Sequence, residues 1–502
     1  MATSEAKPIP VRMPRAPVLV AGVGGAAWIS ADGEVESLTL AEAARRVDGG
    51  AVPVVCHARA AARRLGTARF PALDVLELFA FAHPARFCVP TPRGLARTLG
   101  LALPESLGDE AVALLGAARA LLSRLAEGKP PPGADALRTE VRAFLDAEAA
   151  DILVPARARS WVGFDAEFSR KLGDRGWLGM TWPEPWGQDR SALERYVVIE
   201  ELLAAGAPVA AHWIAERQSG PLILRFGTDE QRAQLLPGIA AGETYFCIGM
   251  SEPDSGSDLF SLRSRADPVD EGWLVNGRKI WTSNAHRSQY IIALLRTAPA
   301  TDSNRRHGLT QFLIPMDAPG INVRPIHNLT GAHEFNEVTF DDVFVASDHI
   351  IGEVDNAWKQ ATNELAYERS GPERFLETFA VLYGLVHAAG RDPEQRSAEG
   401  IGRLIAQLST LRQMSLSVAG MLSDGKVPEV ESAVVKEMGT NWEQALPGVA
   451  RNLVPDIIGE PGEREHLEAL IHQATLFAPK LTIQGGTREI LRGIIARGLG
   501  LR

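Results

Sequence analysis

Two short stretches decide how the middle of this chain folds: FCIGMSEPDSGSDL at residues 246–259 and WLVNGRKIWTSNA at residues 273–285. Each begins with an apolar run that predicts a strand and ends in small polar residues that predict a turn. Short side chains beside a glycine, as in SEPDSGSD (251–258), let backbone N–H and serine O–H groups approach a flat, oxygen-rich ligand. By composition alone this first turn is a plain polar turn. The second motif favours a ligand site, because Trp281 and Ser283 place an aromatic face and a hydroxyl at a strand end.

The strand-rich character extends over residues 244–355, and helical spacing of apolar residues lies on both sides of it. Residues 135–243 and 356–502 show the amphipathic periodicity of helices. The order predicts an α–β–α arrangement with the sheet in the middle. Further strands are predicted at Gly272–Asn276, Tyr290–Leu295, Thr310–Pro315, Ile321–Pro325 and Glu337–Val345.

The clearest domain boundary is the proline-rich linker GKPPPGA at residues 128–134, because consecutive prolines make a stiff, non-helical spacer. The charge changes across it, from a net +2 over residues 1–128 to a net −12 over the rest. Residues 1–127 therefore form an extension of unknown role, predicted to be a small α/β or mostly helical unit. Its GVGGAA (22–27) mimics a dinucleotide-binding fingerprint, but the strand-like residues after it predict a turn.

Composition narrows the class of protein. Hydrophobic residues make up 45% and charged residues 23% of the 502 residues, an ordinary globular balance. The net charge of −10 disfavours a nucleic-acid partner. The three cysteines, Cys56, Cys88 and Cys247, form no CxxC or Cys/His cluster, so we expect neither a disulfide framework nor a metal site, and a reducing, cytoplasmic compartment. No apolar run reaches about 18 residues, so no membrane span is expected.

Four motifs, in this order and spacing, resemble those of the acyl-CoA dehydrogenases over residues 135–502. They are GTDEQRAQLLPGIAAGE (227–243), MSEPDSGSD (250–258), VNGRKIWTSNA (275–285) and IQGGTREILRGIIA (483–496). A second, weaker resemblance links residues 73–99 to the amino-terminal segment of bacterial DinG-type helicases.

The first resemblance implies an α+β multidomain fold. It has an N-terminal α-helical domain (135–243), a middle β-barrel or sandwich domain (244–355) and a C-terminal four-helix bundle (356–502), preceded by a small extra α/β segment. FAD would lie between the last two domains. The implied activity, in lipid and fatty-acid metabolism, is oxidation of an acyl-CoA to a trans-2-enoyl-CoA, with an electron-transfer flavoprotein as acceptor. The alternatives are a flavin monooxygenase or nitroalkane-oxidase-like enzyme, or a non-catalytic FAD-binding partner subunit.

The resemblance also implies which residues contact FAD. Ser251 would lie near the pyrimidine edge and Ser257 near the pyrophosphate or the substrate mouth. Trp281 would cover the isoalloxazine ring, and Ser283 would hydrogen-bond near N5, where negative charge develops on reduction. The full predicted set is Met250, Ser251, Ser257, Trp281, Ser283, Thr487 and Glu489, the last two meeting the adenylate end.

A catalytic base is also required, because the acyl α-proton must leave as the β-hydride is transferred. Many family members carry the base just before the Gly-Thr of the last motif, but Gly485 stands there in this chain. Another group of the family carries it in a Glu-Arg pair on a helix, which matches Glu368. Glu364 and Glu373 are the competing candidates. The non-catalytic interpretation is that Glu368 pairs with an arginine on a solvated helix.

Two segments depart from the family pattern. The arginine-rich segment that reaches a partner's FAD is replaced by AGRDPEQR (389–396), in which Arg391 is a weak substitute. The Gln-x-x-Gly-Gly-x-Gly motif before the last helices is replaced by PDIIGEPG (455–462). We therefore expect an oligomer, either a homo-oligomer or a heteromer in which a paralogue completes the site.

Several conspicuous side chains are expected to be structural or solvated. These are His212, His327 and His333, the tryptophans Trp177, Trp182 and Trp186, and the basic run Arg305–His307.

Overall fold

The computed structural model describes residues 13–83, 88–126, 134–301, 304–357, 360, 369–390, 393–457 and 461–501. The proposed base Glu368, its competitor Glu364 and Arg391 lie outside the described residues. The chain divides into two compact units, residues 1–132 and residues 133–502.

The first unit is built on a five-stranded sheet in the order β3-β2-β1-β4-β5. Strands β1 to β3 pair antiparallel, whereas β4 runs parallel to both β1 and β5. The strands are β1 (Val18–Ala21), β2 (Ala26–Ile29), β3 (Val35–Leu38), β4 (Val54–Val55) and β5 (Leu73–Asp74). The helices are α1 (Leu40–Asp48), α2 (Ala58–Leu65), α3 (Val75–Ala82), α4 (Pro92–Leu99) and α5 (Leu107–Ala126).

Both faces of this sheet are buried. Val18 and Val20 of β1 belong to the core cluster that includes α5, and Leu19 belongs to the cluster that includes α1 and α2. At Gly22 the chain turns directly into β2, and the Gly22 N–H donates to the Gly25 carbonyl at 2.8 Å. No helix follows, so the prediction of a turn rather than a dinucleotide-binding fingerprint is confirmed.

The second unit begins with a helical region. The capping boxes Ser191–Glu194 and Thr228–Gln231 start two of its helices. The helices are α6 (Ala134–Glu148), α7 (Val154–Arg157), α8 (Ala166–Asp174), α9 (Ala192–Ala204), α10 (Ala210–Ile214), α11 (Gly220–Phe226) and α12 (Asp229–Ala240), and Ala215–Ser219 is a π-helical turn between α10 and α11.

An eight-stranded sheet follows, with the order β11-β12-β8-β7-β9-β10-β13 and with β6 paired to β9. The alternation of small hydrophobic and polar residues along β12 buries Val338 and Phe340 on the core side. The strands are β6 (Phe246–Gly249), β7 (Arg265–Val269), β8 (Gly272–Ser283), β9 (Tyr290–Arg296), β10 (Leu309–Pro315), β11 (Ile321–His327), β12 (His333–Ala346) and β13 (Ile350–Ile351).

The chain ends in helices that pack against one another, and one hydrophobic core joins most of them to the helices before the sheet. This arrangement confirms the predicted fold class. The helices are α13 (Phe379–Ala389), α14 (Gln395–Ser423), α15 (Glu429–Leu453), α16 (Pro461–Leu481) and α17 (Arg488–Gly498). No helix among the described residues is long and apolar enough to cross a bilayer.

A pair of buried glutamates lies where the segment before α13 packs on α15. Glu377 is fully buried, and neither carboxylate oxygen has a hydrogen-bond partner among the described residues. Glu443 accepts the Thr378 N–H at 3.1 Å. Burial raises the pKa of Glu377 well above its ordinary value and raises that of Glu443 to about 7. Both groups therefore bind protons more tightly in the folded chain than in the unfolded chain.

We predict that the two glutamates contribute a decline in the free energy of unfolding as the pH rises from about 4.5 to about 7, because the folded state holds protons on them that the unfolded state has released, whereas the buried His212 contributes in the opposite direction. Glu443→Gln should flatten this decline and stabilise the protein at pH 8 by as much as about 3 kcal/mol. Urea unfolding from pH 4.5 to 8 measures the effect. Glu431→Gln, on an exposed position of the same helix, is the control. An unchanged slope in Glu443→Gln would contradict the assignment.

Candidate functional site

An ion pair with almost no exposed surface joins the stretches at residues 246–259 and 273–285. The Lys279 ammonium lies 2.8 Å from Glu252 Oε1, and the two side chains are 0% and 7% exposed. Glu252 also accepts the backbone N–H groups of Arg263 and Ser264. Burial lowers the pKa of Lys279 to about 8, although Glu252 opposes this shift. The pair fixes the turn after β6 to the middle of β8.

Backbone contacts bring Met250 and Ser251 to the same place. The Ile280 N–H donates to the Ser251 carbonyl at 2.9 Å, and Lys279 Nζ donates to the Met250 carbonyl at 3.3 Å. Both residues follow the end of β6. Two of the predicted flavin contacts therefore lie beside the strand that carries two more of them, Trp281 and Ser283.

Trp281 has an unusual backbone conformation. Its φ of +59° is in the left-handed region, which a bulky residue rarely adopts, and its pairing with β12 shifts register at this point. The side chain is 57% exposed, and its ring meets Phe335 edge-on at 5.8 Å. The next residue, Thr282, is buried. The strained bulge therefore presents a large aromatic surface to solvent, as a site for a flat aromatic ligand requires.

Ser257 is not held in this group. It lies in an exposed bend, and within the described part of the chain it makes no hydrogen bond to Trp281 or Ser283. The neighbouring Asp258 pairs with Arg305 at 2.7 Å. This contact gives part of the basic run Arg305–His307 a structural role.

The C-terminal motif is anchored through two backbone carbonyls. Arg369 Nε donates to the Gly485 carbonyl at 3.0 Å, and Lys436 Nζ donates to the Gly486 carbonyl at 2.8 Å. Both glycines have positive φ, +70° and +102°, so the turn favours glycine at these positions. Thr487 then occupies the N-cap of α17.

Glu489 is exposed in the first turn of α17. Hydrogen bonds from its own backbone N–H and from Thr487 lower its pKa, so it carries a negative charge. Thr487 and Glu489 thus lie together at one helix end.

A second ion pair connects the sheet to the C-terminal motif. Lys480 at the end of α16 lies 2.8 Å from Glu334 on β12. Its ammonium is also 5.5 Å from the ring centre of Phe335, the residue that contacts Trp281. Through these contacts the Trp281 surface and the turn before α17 belong to one region.

A cavity of about 410 Å³ lies between the N-terminal helices and the C-terminal helices. One wall is Ser370–Glu373, which begins two residues after Glu368. Residues 369–378 contain only turns and the 3₁₀ turn Pro372–Arg374, as the Gly-Pro pair predicts.

Glu373, the competing base, lies on this wall. It is 1% exposed and pairs with Arg217 at 2.6 Å. One of its oxygens is thus committed to a buried arginine, which gives it a structural partner that the sequence did not reveal.

A second ion pair, largely buried, also lines the cavity. Arg195 on α9 makes two hydrogen bonds to Glu216 in the π-helical turn, at 3.0 and 2.7 Å. Tyr196 and Ser415 also line the cavity. Sequence reasoning missed all of these residues, because they are far apart in the chain and belong to helices with no motif.

The other conspicuous residues mostly match their expected structural roles. His212 is buried, and burial lowers its pKa to about 4, so it is neutral. His333 stacks on His286 at 3.8 Å and hydrogen-bonds Asn336 at 2.7 Å. Trp177 and Trp182 are buried in different core clusters. The described residues contain no group of three or more His, Cys, Asp or Glu side chains suited to a metal ion.

The two segments that depart from the family pattern lie side by side. Arg396 at the start of α14 is 3.2 Å from Asp456, after α15. An ion pair within the chain therefore stands where the resemblance implied contacts with a partner.

Comparison with known proteins gives three domain matches. The family descriptions are "Acyl-CoA dehydrogenase, N-terminal domain" for residues 131–243, "middle domain" for residues 247–343 and "C-terminal domain" for residues 389–500.

Two curated relatives from Mycobacterium tuberculosis are similar to this chain. Acyl-CoA dehydrogenase IpdE1 is 35% identical over 345 residues, which is 66% of this chain and 87% of the relative. Acyl-CoA dehydrogenase FadE34 is 35% identical over 336 residues, which is 66% of this chain but only 45% of that longer relative.

Two solved structures are also similar to this chain. The Tcur3481-Tcur3483 steroid ACAD is 26% identical with a TM-score of 0.66, over 74% of this chain and 99% of that one. The ChsE4-ChsE5 complex from Mycobacterium tuberculosis is 28% identical with a TM-score of 0.62, and the match again covers 74% of this chain and 99% of that one.

We predict that Lys279→Met destabilises the protein by roughly 3–5 kcal/mol, because it leaves the Glu252 carboxylate buried without its counter-ion. The double variant Lys279→Met/Glu252→Gln should recover part of this loss. Urea unfolding measures both. Lys171→Met, which breaks exposed ion pairs with Glu148 and Glu167, is the matched control and should cost about 1 kcal/mol or less. Equal effects of the two lysine variants would contradict the importance of the buried pair.

Proposed function

The chain belongs to the acyl-CoA dehydrogenase family, and on that basis we propose that it oxidises an acyl-CoA thioester to a trans-2-enoyl-CoA with FAD as cofactor. The observation that carries the proposal is the contact between Arg369 and the Gly485 carbonyl. It brings the residue next to Glu368 against the turn where other members of the family carry their base. We therefore propose that the two alternative positions of the base serve the same place in the fold.

The residues around Trp281 fit a flavin. The exposed indole on a strained bulge offers a flat apolar surface, and Ser283 lies two residues further on at the end of β8. Met250 and Ser251 lie beside that strand, and Thr487 and Glu489 lie across the Lys480–Glu334 junction. We propose that these residues hold FAD, which supplies the hydride acceptor at N5 when bound. Ser257 belongs to the proposal only through its motif.

Glu368 is the proposed base. Removal of a thioester α-proton requires a carboxylate aligned on the α-carbon in a dry pocket. Glu368 precedes Ser370 and Gly371, which line the cavity. Its competitor Glu373 is held by Arg217, which favours Glu368 for the proton transfer.

The cavity is the proposed site of the acyl group. Its volume of about 410 Å³ is in the range of small-molecule sites. The Tcur3481-Tcur3483 structure is named as a steroid ACAD. We therefore extend the proposal to a bulky acyl group rather than a short linear one.

An electron-transfer flavoprotein is the proposed electron acceptor, and the working assembly is proposed to be oligomeric. The structure of a relative is named as a ChsE4-ChsE5 complex. The ion pair between Arg396 and Asp456 occupies the region where the resemblance implied partner contacts. These facts favour an assembly in which a paralogue supplies the missing contacts.

We predict that Glu368→Gln lowers the rate of anaerobic flavin reduction by an acyl-CoA about 10²–10⁴-fold, because the amide cannot accept the α-proton. Stopped-flow bleaching of the flavin band with a panel of acyl-CoAs measures it. Glu364→Gln, four residues earlier in the chain, is the matched control and should stay close to wild type. Loss of reduction in Glu364→Gln instead would transfer the role to that residue.

The same experiment separates the alternative functions. Bleaching by thioesters without oxygen supports the dehydrogenase, whereas rapid reaction of the reduced flavin with oxygen supports a monooxygenase or oxidase. A protein that binds flavin but is reduced by no thioester, even with the paralogue added, would support the non-catalytic subunit.

We predict that Ser283→Ala slows flavin reduction about tenfold or more with little change in substrate affinity, because it removes a hydroxyl that stabilises developing negative charge. Reduction rate and thioester binding are measured separately. Ser417→Ala, at an exposed position on α14, is the control. A change in affinity alone would argue against this role for Ser283.

A further inference from the structure

We infer that the cavity selects an acyl group whose far end carries a hydroxyl. The inference deepens the proposed function and rests on it, because it assigns the acyl group to this cavity. It derives from the polar lining described above, which is unusual for a site that would hold a plain hydrocarbon chain.

The charged side chains of the cavity wall are mostly paired. Two ion pairs, Arg195–Glu216 and Arg217–Glu373, line the cavity, and three of the four side chains are at most 7% exposed. The two positive and two negative charges cancel. These pairs therefore make the wall polar without adding a net charge, and Arg190, which also lines the cavity, is only partly buried, so water screens its charge from an ionised carboxylate.

Two residues of the cavity wall each carry a buried polar atom that is available for hydrogen bonding. The Tyr196 hydroxyl and Glu373 Oε2 are buried, and neither has a hydrogen-bond partner among the described residues. Tyr196 is 4% exposed and Glu373 is 1% exposed. Buried polar atoms are normally satisfied, so unpartnered ones that line a cavity point to a ligand that completes them.

The Tyr196 hydroxyl is a hydrogen-bond donor, and Glu373 Oε2 is an acceptor. Burial raises the pKa of Tyr196 well above its ordinary value, so its hydroxyl keeps its proton and can donate. The hydroxyl of the adjacent Ser415 already donates to the Ser370 carbonyl. Glu373 Oε2 can only accept. These two atoms thus offer a donor and an acceptor to an occupant of the cavity.

Three kinds of acyl terminus can be compared. An alkyl end would exclude water from the ion pairs and satisfy neither atom, which is costly. A carboxylate could accept from Tyr196 but would meet Glu373. A hydroxyl accepts from Tyr196, donates to Glu373 and stays neutral. The geometry therefore favours the hydroxyl.

The test compares saturated acyl-CoAs with their ω-hydroxy and ω-carboxy counterparts at chain lengths of six, eight, ten and twelve carbons. Calorimetry measures the Kd, and anaerobic flavin bleaching measures the reduction rate. In at least one chain length we expect the hydroxy compound to bind about tenfold or more tightly than the alkyl and carboxy compounds. Equal or weaker binding of the hydroxy compound at every length would overturn the inference.

Tyr196→Phe removes the donor with the least change in shape. We expect it to reduce the hydroxy-to-alkyl preference to about threefold or less. Tyr383→Phe, on the exposed face of α13, is the matched control and should keep the preference. A preference that survives in Tyr196→Phe would overturn the role of this tyrosine, and circular dichroism confirms that each variant is folded.

The two readouts separate this inference from the proposed function. If alkyl and hydroxy thioesters bleach the flavin and bind with equal affinity, the dehydrogenase proposal is supported and the hydroxyl preference is contradicted. A hydroxyl preference in binding without bleaching by any thioester would remove the dehydrogenase proposal while the selectivity of the cavity stands.

Discussion

The ion pair between Lys279 and Glu252 is the constraint on which the middle of the molecule depends. A lysine with no exposed surface is tolerated because a carboxylate, itself held by two backbone N–H groups, lies 2.8 Å away. The pair joins the turn after β6 to β8. Ser251 and the bulge at Trp281 take their relative positions from it, so the proposed flavin surface is a consequence of a buried charge.

The same device recurs where domains meet. Lys480 and Glu334 connect α16 to β12, and Arg369 connects the segment before α13 to the turn before α17. Hydrophobic packing is non-directional, so it brings helices and sheet together without fixing their register. Buried charges with defined partners add that direction. They connect the sheet that carries the proposed flavin surface to the C-terminal helices, and the segment that follows the proposed base to the turn before α17.

Buried charges also shape the cavity between the N-terminal and C-terminal helices. Its ion pairs are nearly dry, and Glu373 and Tyr196 keep hydrogen-bonding capacity that no described residue uses. A site built in this way discriminates by the penalty for leaving polar atoms unmet, which is larger than the gain from one more methylene contact. Glu373, a candidate base by sequence, is better explained as part of this polar wall.

The sequence by itself determined the family, the α–β–α order and the strand-and-turn motifs, because hydrophobic periodicity and turn residues are local signals. It also indicated that Gly485 cannot be the base, and it identified the residues around Trp281. The tertiary structure alone decided the strained bulge at Trp281, the Arg369–Gly485 contact and the cavity lined by Tyr196, Arg217 and Glu373. Those features join helices distant in the chain through single side-chain contacts, which leave no periodic trace in the sequence.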